Sequence, residues 1–217
     1  MLRIAVLASG RGTNFQALHD SCASGYLDAE IACVLTNKRN AGVVERAERA
    51  GVEVLVLPHK GRDTLEVDED IVRAFEERDV GLVCNAGYSR IRGAVYCKAF
   101  DGRAMNVHPS LLPAFPGGMH AIQDAWEWGV KTSGVTVHYA TEDLDAGPII
   151  IQRAVDIAPD DTLETFEEKI HLVEYAIYPK AVRLFAERRL RIEGRTVVVD
   201  GDVPEVPWSG ALPPGLS

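Results

Sequence analysis

Paired cysteines are missing from this chain. Cys22, Cys33, Cys84 and Cys97 form no CxxC motif, and Cys33 and Cys84 sit inside apolar, strand-like runs. They read as buried free thiols of a reducing compartment, neither staples nor metal ligands. No apolar run approaches the roughly 18 residues that span a bilayer, and a strand starts at the N-terminus where a signal peptide would lie. The expected location is cytoplasmic, with no membrane partner. Basic excess is lacking too: 23 Lys and Arg against 32 Asp and Glu give a net charge of -9 and a pI of about 5.2. A nucleic-acid partner therefore has little electrostatic support. There is no HExxH, no cysteine cluster and no calcium-type ligand loop, so no metal is expected. Repeats and interior linkers are also absent.

What is present is ordinary globular material, 47% apolar and 25% charged, in 217 residues. That length can bury one sizeable core. Apolar strand patterns at residues 2–8, 31–35, 52–57 and 80–84 alternate with helical spacing from Phe15 to Cys22 and at 43–50 and 65–77. Such alternation with short loops is the signature of a parallel sheet with crossover helices. A short helix within 87–100, a strand ending at His108, a helix at 121–128 and strands at 134–139 and 148–157 follow. Asp161 with Glu164 is expected to cap a helix running to about Arg189 and kinked or divided by Pro179. A hairpin is expected over 191–200. The fold class is thus α/β, a Rossmann-like, mostly parallel twisted sheet with helices on both faces. One domain is expected over 1–200, its N-terminal half the mononucleotide or phosphate-binding unit, and a Pro-rich, poorly ordered tail over 201–217.

Three stretches could carry chemistry. In the strand Met105-Asn106-Val107-His108, alternation puts Asn106 and His108 on one face, and Pro109 ends the ladder beside them. An amide donor can hold a developing oxyanion and an imidazole can move a proton, although polar strand ends are also common without function. Ser9-Gly10-Arg11-Gly12-Thr13-Asn14 feeds a strand into a helix, where backbone donors would meet an anion. Phe15 replaces the third glycine of a dinucleotide fingerprint, and Asn37 stands where a ribose carboxylate would. No Gly-Lys-Ser/Thr follows, so the loop fits a monophosphate or is simply a tight turn. The acidic loop from Thr141 to Pro148 could supply a carboxylate to an imidazole, or be a solvated turn. Glu174 lies on the apolar stripe Phe166, Ile170, Val173, Ile177, Ala181, Leu184 and needs a substrate group or an arginine as partner. His120 and His138 read as structural.

These strings occur together and in order in one family. With Ala86-Gly87-Tyr88-Ser89-Arg90-Ile91, Thr136-Val137-His138, Asp145-Ala146-Gly147-Pro148 and Glu174-Tyr175-Ala176-Ile177-Tyr178-Pro179, the chain resembles the phosphoribosylglycinamide formyltransferases. The strings around Asn106 and Asp145 are shared by enzymes that take formyl groups from 10-formyltetrahydrofolate. The resemblance implies a transfer site of Asn106, His108 and Asp145, with Asp145 holding His108. It implies that Gly12, Thr13, Asn14, His171 and Glu174 bind a ribonucleotide, and that Ser89, Arg90, Ile91, Arg92, Thr141, Glu142, Asp143 and Leu144 line a folate pocket. The implied partners are glycinamide ribonucleotide and 10-formyltetrahydrofolate, in a monomer or homodimer. Departures from the usual family residues fall at Thr64, Asn85, Arg92 and His171, with Arg62 close to the first. Another formyltransferase, a formyltetrahydrofolate hydrolase and a non-catalytic binder remain as alternatives.

Overall fold

In a computed structural model the described residues are 1–89, 92–117 and 119–202. Strand β1 (Leu2–Leu7) buries Ile4, Ala5, Val6 and Leu7 completely, as a strand covered on both faces must. Its neighbours are β2 (Ala29–Thr36) on one side and β4 (Leu82–Asn85) on the other, both parallel to it. With β3 (Val54–Val56), β5 (Ala104–His108), β6 (Thr132–Tyr139), β7 (Ile149–Asp156), β8 (Leu190–Glu193) and β9 (Thr196–Val199) they form one nine-stranded sheet. Its order is β3-β2-β1-β4-β5-β6-β7-β9-β8, parallel through β5 and antiparallel from β5 to β7. From β1 the chain runs outward through β2 to β3 and then crosses back to β4 on the other side of β1, and the crevice beyond the carboxyl ends of β1 and β4 is the usual ligand position of such sheets.

Helices α1 (Thr13–Ala23), α2 (Gly42–Arg49), α5 (Ala121–Trp128) and α6 (Leu163–Ala186) pack in one apolar cluster, through Phe15, Val43, Ile122 and Phe166 among others. Helices α3 (Thr64–Glu76) and α4 (Ala94–Ala99) pack in a second, through Val67, Ile71, Phe75 and Tyr96. The expected α/β class and both-face coverage hold.

One expectation for α6 fails, and of a second the division at Pro179 fails. Its cap is Thr162, not Asp161 with Glu164: Thr165 N donates to Thr162 Oγ1 at 3.2 Å and Thr162 N to Thr165 Oγ1 at 2.9 Å. Threonine at the third position completes the box that glutamate was expected to complete, while Asp161 accepts from Ala158 N at 2.6 Å and pairs with Lys169. Nor does Pro179 divide the helix, which runs unbroken for 24 residues. The packing of Tyr178, Ala181, Val182 and Leu184 holds it across the missing N–H. The expected hairpin is β8 and β9, paired from Leu190↔Val199 to Glu193↔Thr196. Of the expected tail, residues 203–217 lie outside those described.

Asn85 ends β4 inside the core and does not border the ligand crevice. Its Nδ2 donates to Met105 O at 2.9 Å, and Tyr178 Oη donates to Asn85 O at 2.9 Å, fastening β4 to β5 and to α6. The cysteines are free. Burial pushes the Cys33 and Cys84 thiols up to about 12, which keeps them unreactive.

Candidate active site

β5 delivers Asn106 and His108 to the crevice because Pro109 ends its ladder there. His108 is buried, and its Nε2 donates to Phe115 O at 2.8 Å. Its Nδ1 lies 3.3 Å from Asp145 Oδ2. Both ring nitrogens therefore face acceptors.

Asp145 comes from the acidic loop between β6 and β7. It adopts φ 52°, a left-handed conformation that aspartate tolerates better than most residues. Gly147 brings the loop hard against β6, since a Cβ there would lie 1.8 Å from Tyr139 O. The carboxylate accepts from Gly117 N at 2.8 Å. Burial alone would raise its pKa, but the neighbouring His138 and His108 imidazoles and the Gly117 N–H outweigh it and hold the carboxyl below its usual range.

Sequence reasoning missed His138. Antiparallel pairing sets it opposite Asn106. Its Nδ1 donates to Tyr139 O at 2.9 Å, so in the neutral ring Nε2 accepts from Asn106 Nδ2, 3.2 Å away. Nε2 is also 3.6 Å from Asp145 Oδ1, which Asn106 Nδ2 approaches to 3.4 Å. The only signal available was the Thr136-Val137-His138 string itself, because the pairing joins residues far apart in sequence.

At the other side of the crevice, Gly12 takes φ 78° ahead of α1, and a Cβ on it would meet Val43 Cα at 2.6 Å. Helix α1 has no side-chain cap and no acidic residue in its first turn, which leaves its leading N–H groups and its positive end for an anion. Glu174 is buried and has found its partners: Asn14 Nδ2 at 3.0 Å and His171 Nδ1 at 3.2 Å. Among the described residues it makes no ion pair with an arginine, so that alternative is set aside.

One cavity of about 460 Å3 joins these groups. Gly12, Thr13, Asn14, His171 and Glu174 border it together with Asn106, His108 and Asp145. So do Ser89, Arg92 and Leu144 of the expected folate pocket, beside exposed Met119. Thr141 and Glu142 line a small recess next to it with Arg92 and Asp145, and Asp143 borders neither space. Arg90 and Ile91 lie outside the described residues. Arg62 is tied to Asp70 at 2.6 Å.

The family described as "Formyl transferase" matches residues 2–182. The chain belongs to the formyl transferase family. Within that family it is 39% identical to phosphoribosylglycinamide formyltransferase of Haemophilus influenzae over 97% of this chain and 98% of that protein. It is 40% identical to the trifunctional purine biosynthetic protein adenosine-3 of Homo sapiens over 88% of this chain, which is 19% of that much longer protein. Among solved structures, glycinamide ribonucleotide transformylase 1 from Symbiobacterium toebii superposes with a TM-score of 0.88 at 44% identity, covering 92% of this chain and 94% of that one.

Proposed function

We propose that this formyl transferase moves the formyl group of 10-formyltetrahydrofolate to the amine of glycinamide ribonucleotide. The observation that carries the reading is the sharing of one cavity by two unlike sites: the Asn106, His108, Asp145 cluster and the uncapped start of α1. An acceptor with a phosphate at one end and an amine at the other suits that pairing. Apolar Met119, Ile122 and Leu144 with cationic Arg92 suit an aromatic donor that carries an acidic tail.

The amine nitrogen attacks the formyl carbon, and the carbonyl π pair becomes an oxyanion. His108 Nε2–H, here donated to Phe115 O, and the Asn106 amide hydrogen on the long 3.4 Å contact to Asp145 are the donors that oxyanion takes over. Preorganised donors of this kind typically contribute about 3 to 4 kcal/mol each to lowering the barrier. Asp145 orients His108 and compensates the imidazolium charge. The attacking nitrogen gives up its proton, N10 of the folate receives one, and the C–N10 bond breaks to leave tetrahydrofolate and a formamide. Gly12, Thr13 and Asn14 hold the phosphate, and Glu174 the ribose side of the acceptor.

A formyl-transfer assay with 10-formyl-5,8-dideazafolate, followed with and without glycinamide ribonucleotide, tests this. Release of deformylated folate should require the acceptor and disappear in Asp145→Asn. Release without acceptor would instead make the protein a hydrolase.

A further inference from the structure

His171 is held in one tautomer. Its Nε2 lies 3.0 Å from a guanidinium nitrogen of Arg11. A guanidinium has only hydrogens to offer, so Nε2 must accept, and the ring proton sits on Nδ1. That proton goes to Glu174 Oε2 at 3.2 Å, the oxygen that also receives Asn14 Nδ2. A line of donors thus runs from Arg11 through a neutral imidazole to a buried carboxylate. The Tyr175 ring stacks on the imidazole at 6.2 Å and 12°, and its hydroxyl is pushed up by burial. From α2, Arg46 Nε donates to Arg11 O at 3.0 Å. Arg11, Asn14, His171 and Glu174 all border the cavity at the start of α1.

We infer that a phosphate monoester entering this end of the cavity binds together with a proton, which His171 takes up from solvent. The inference rests on the phosphate-site reading above and adds a proton linkage to it. Arg11 gives a charged donor to a neutral ring, and a phosphate dianion is the stronger acceptor. Once Arg11 turns to the dianion, His171 Nε2 presents a lone pair toward negative charge. A proton on Nε2 converts that repulsion into a charge-assisted hydrogen bond while Nδ1–H stays on Glu174. An imidazole can carry a proton on each ring nitrogen at once, and solvent supplies the second. Glu174 keeps both of its donors throughout and has no cause to take the proton itself.

The probe is formylglycinamide ribonucleotide, which carries the phosphate and ribose but no titrating amine. Isothermal titration calorimetry in Tris and in HEPES near pH 7.5, buffers of unlike ionisation heat, reads the proton count directly. The expected result is uptake approaching one proton per ligand, with Kd weakening by up to about tenfold per pH unit above neutrality. His171→Gln should abolish the uptake and flatten the pH dependence. Long-range 1H–15N spectra of the imidazoles give an independent reading, a neutral Nδ1–H ring for His171 in the free protein and an imidazolium in the complex. Binding with no buffer dependence, equal uptake in His171→Gln, or a neutral His171 in the complex overturns the linkage and leaves the phosphate site standing. Failure of the probe to bind at all overturns both.

Discussion

Gly147→Ala tests whether the acidic loop places the Asp145 carboxylate for the proposed transfer. The added Cβ would sit 1.8 Å from Tyr139 O and 2.9 Å from Tyr139 C, both backbone atoms of β6 that cannot rotate away. An ordinary carbon–oxygen contact needs about 3.3 Å, so the loop must retreat by about 1.5 Å. Asp145 lies two residues upstream, and its 3.3 Å approach to His108 and 2.8 Å bond from Gly117 N do not survive a shift of that size. Displacing a positioning group by about 1 Å can cost about 100-fold in rate, and overpacking typically costs about 1 to 3 kcal/mol. The expected variant is folded, has kcat reduced about 100-fold, and binds formylglycinamide ribonucleotide with unchanged affinity, because the start of α1 is untouched. Steady-state formyl transfer, calorimetry and urea unfolding measure the three quantities. A kcat within about threefold of the parent would refute the reasoning, since it would show that Asp145 need not be held where the loop holds it.

His108→Ala should lower turnover by about 100-fold or more while the Kd for formylglycinamide ribonucleotide stays nearly constant; parental turnover would remove His108 from the chemistry. His138→Leu takes away the acceptor of the Asn106 amide and should cost about 1 to 3 kcal/mol in urea unfolding as well as turnover. His138→Gln can set a carbonyl near the Nε2 position and should recover part of both, whereas equal losses would show that His138 only fills space. The depressed Asp145 carboxyl gives a stability contribution that is complete above its usual value of 3.8 and is lost as pH falls through the lower folded-state value. Thermal melts between about pH 6 and 2 should therefore fall more steeply for the parent than for Asp145→Asn, and parallel curves would contradict the assignment.

The parts of this site that were legible in the sequence are those decided within a few residues. Alternation along β5 and the block at Pro109 place Asn106 and His108 on one face without any knowledge of the neighbours. Glu174 stood out because a carboxylate on an apolar stripe must be answered by something. What answered it could not be read, because Asn14 is 160 residues away and the contact exists only once α6 is laid across α1. The misplaced cap of α6 is a different failure: Asp161, Thr162, Glu164 and Thr165 all have suitable side chains, and only the backbone at Thr162, extended at φ -101° and ψ 168°, selects among them.

His138 shows where local reading ends. By pattern it is a histidine in a buried strand, which is usually a packed residue. Its contact with Asn106 follows from the β5–β6 register, and a slip of one residue would turn His138 to the opposite face of the sheet. That register is held from outside the reacting cluster. Thr136 Oγ1 donates to Ser110 O at 2.7 Å and accepts from Leu112 N at 3.1 Å, tying β6 to the segment just beyond His108. Gln152 on β7 adds donors to Thr136 Oγ1 and Leu112 O, each at 2.9 Å. These bonds, of which the two between Thr136 and the Ser110–Leu112 segment are buried, lose their partners together if β6 slips, so the register that aims His138 at Asn106 is protected by groups outside the Asn106, His108, Asp145 cluster. The precision of the site therefore comes from antiparallel pairing added to a parallel sheet, and it is secured by Ser110, Leu112, Thr136 and Gln152, which flank Asn106, His108 and His138 in space although they come from three separate stretches of the chain.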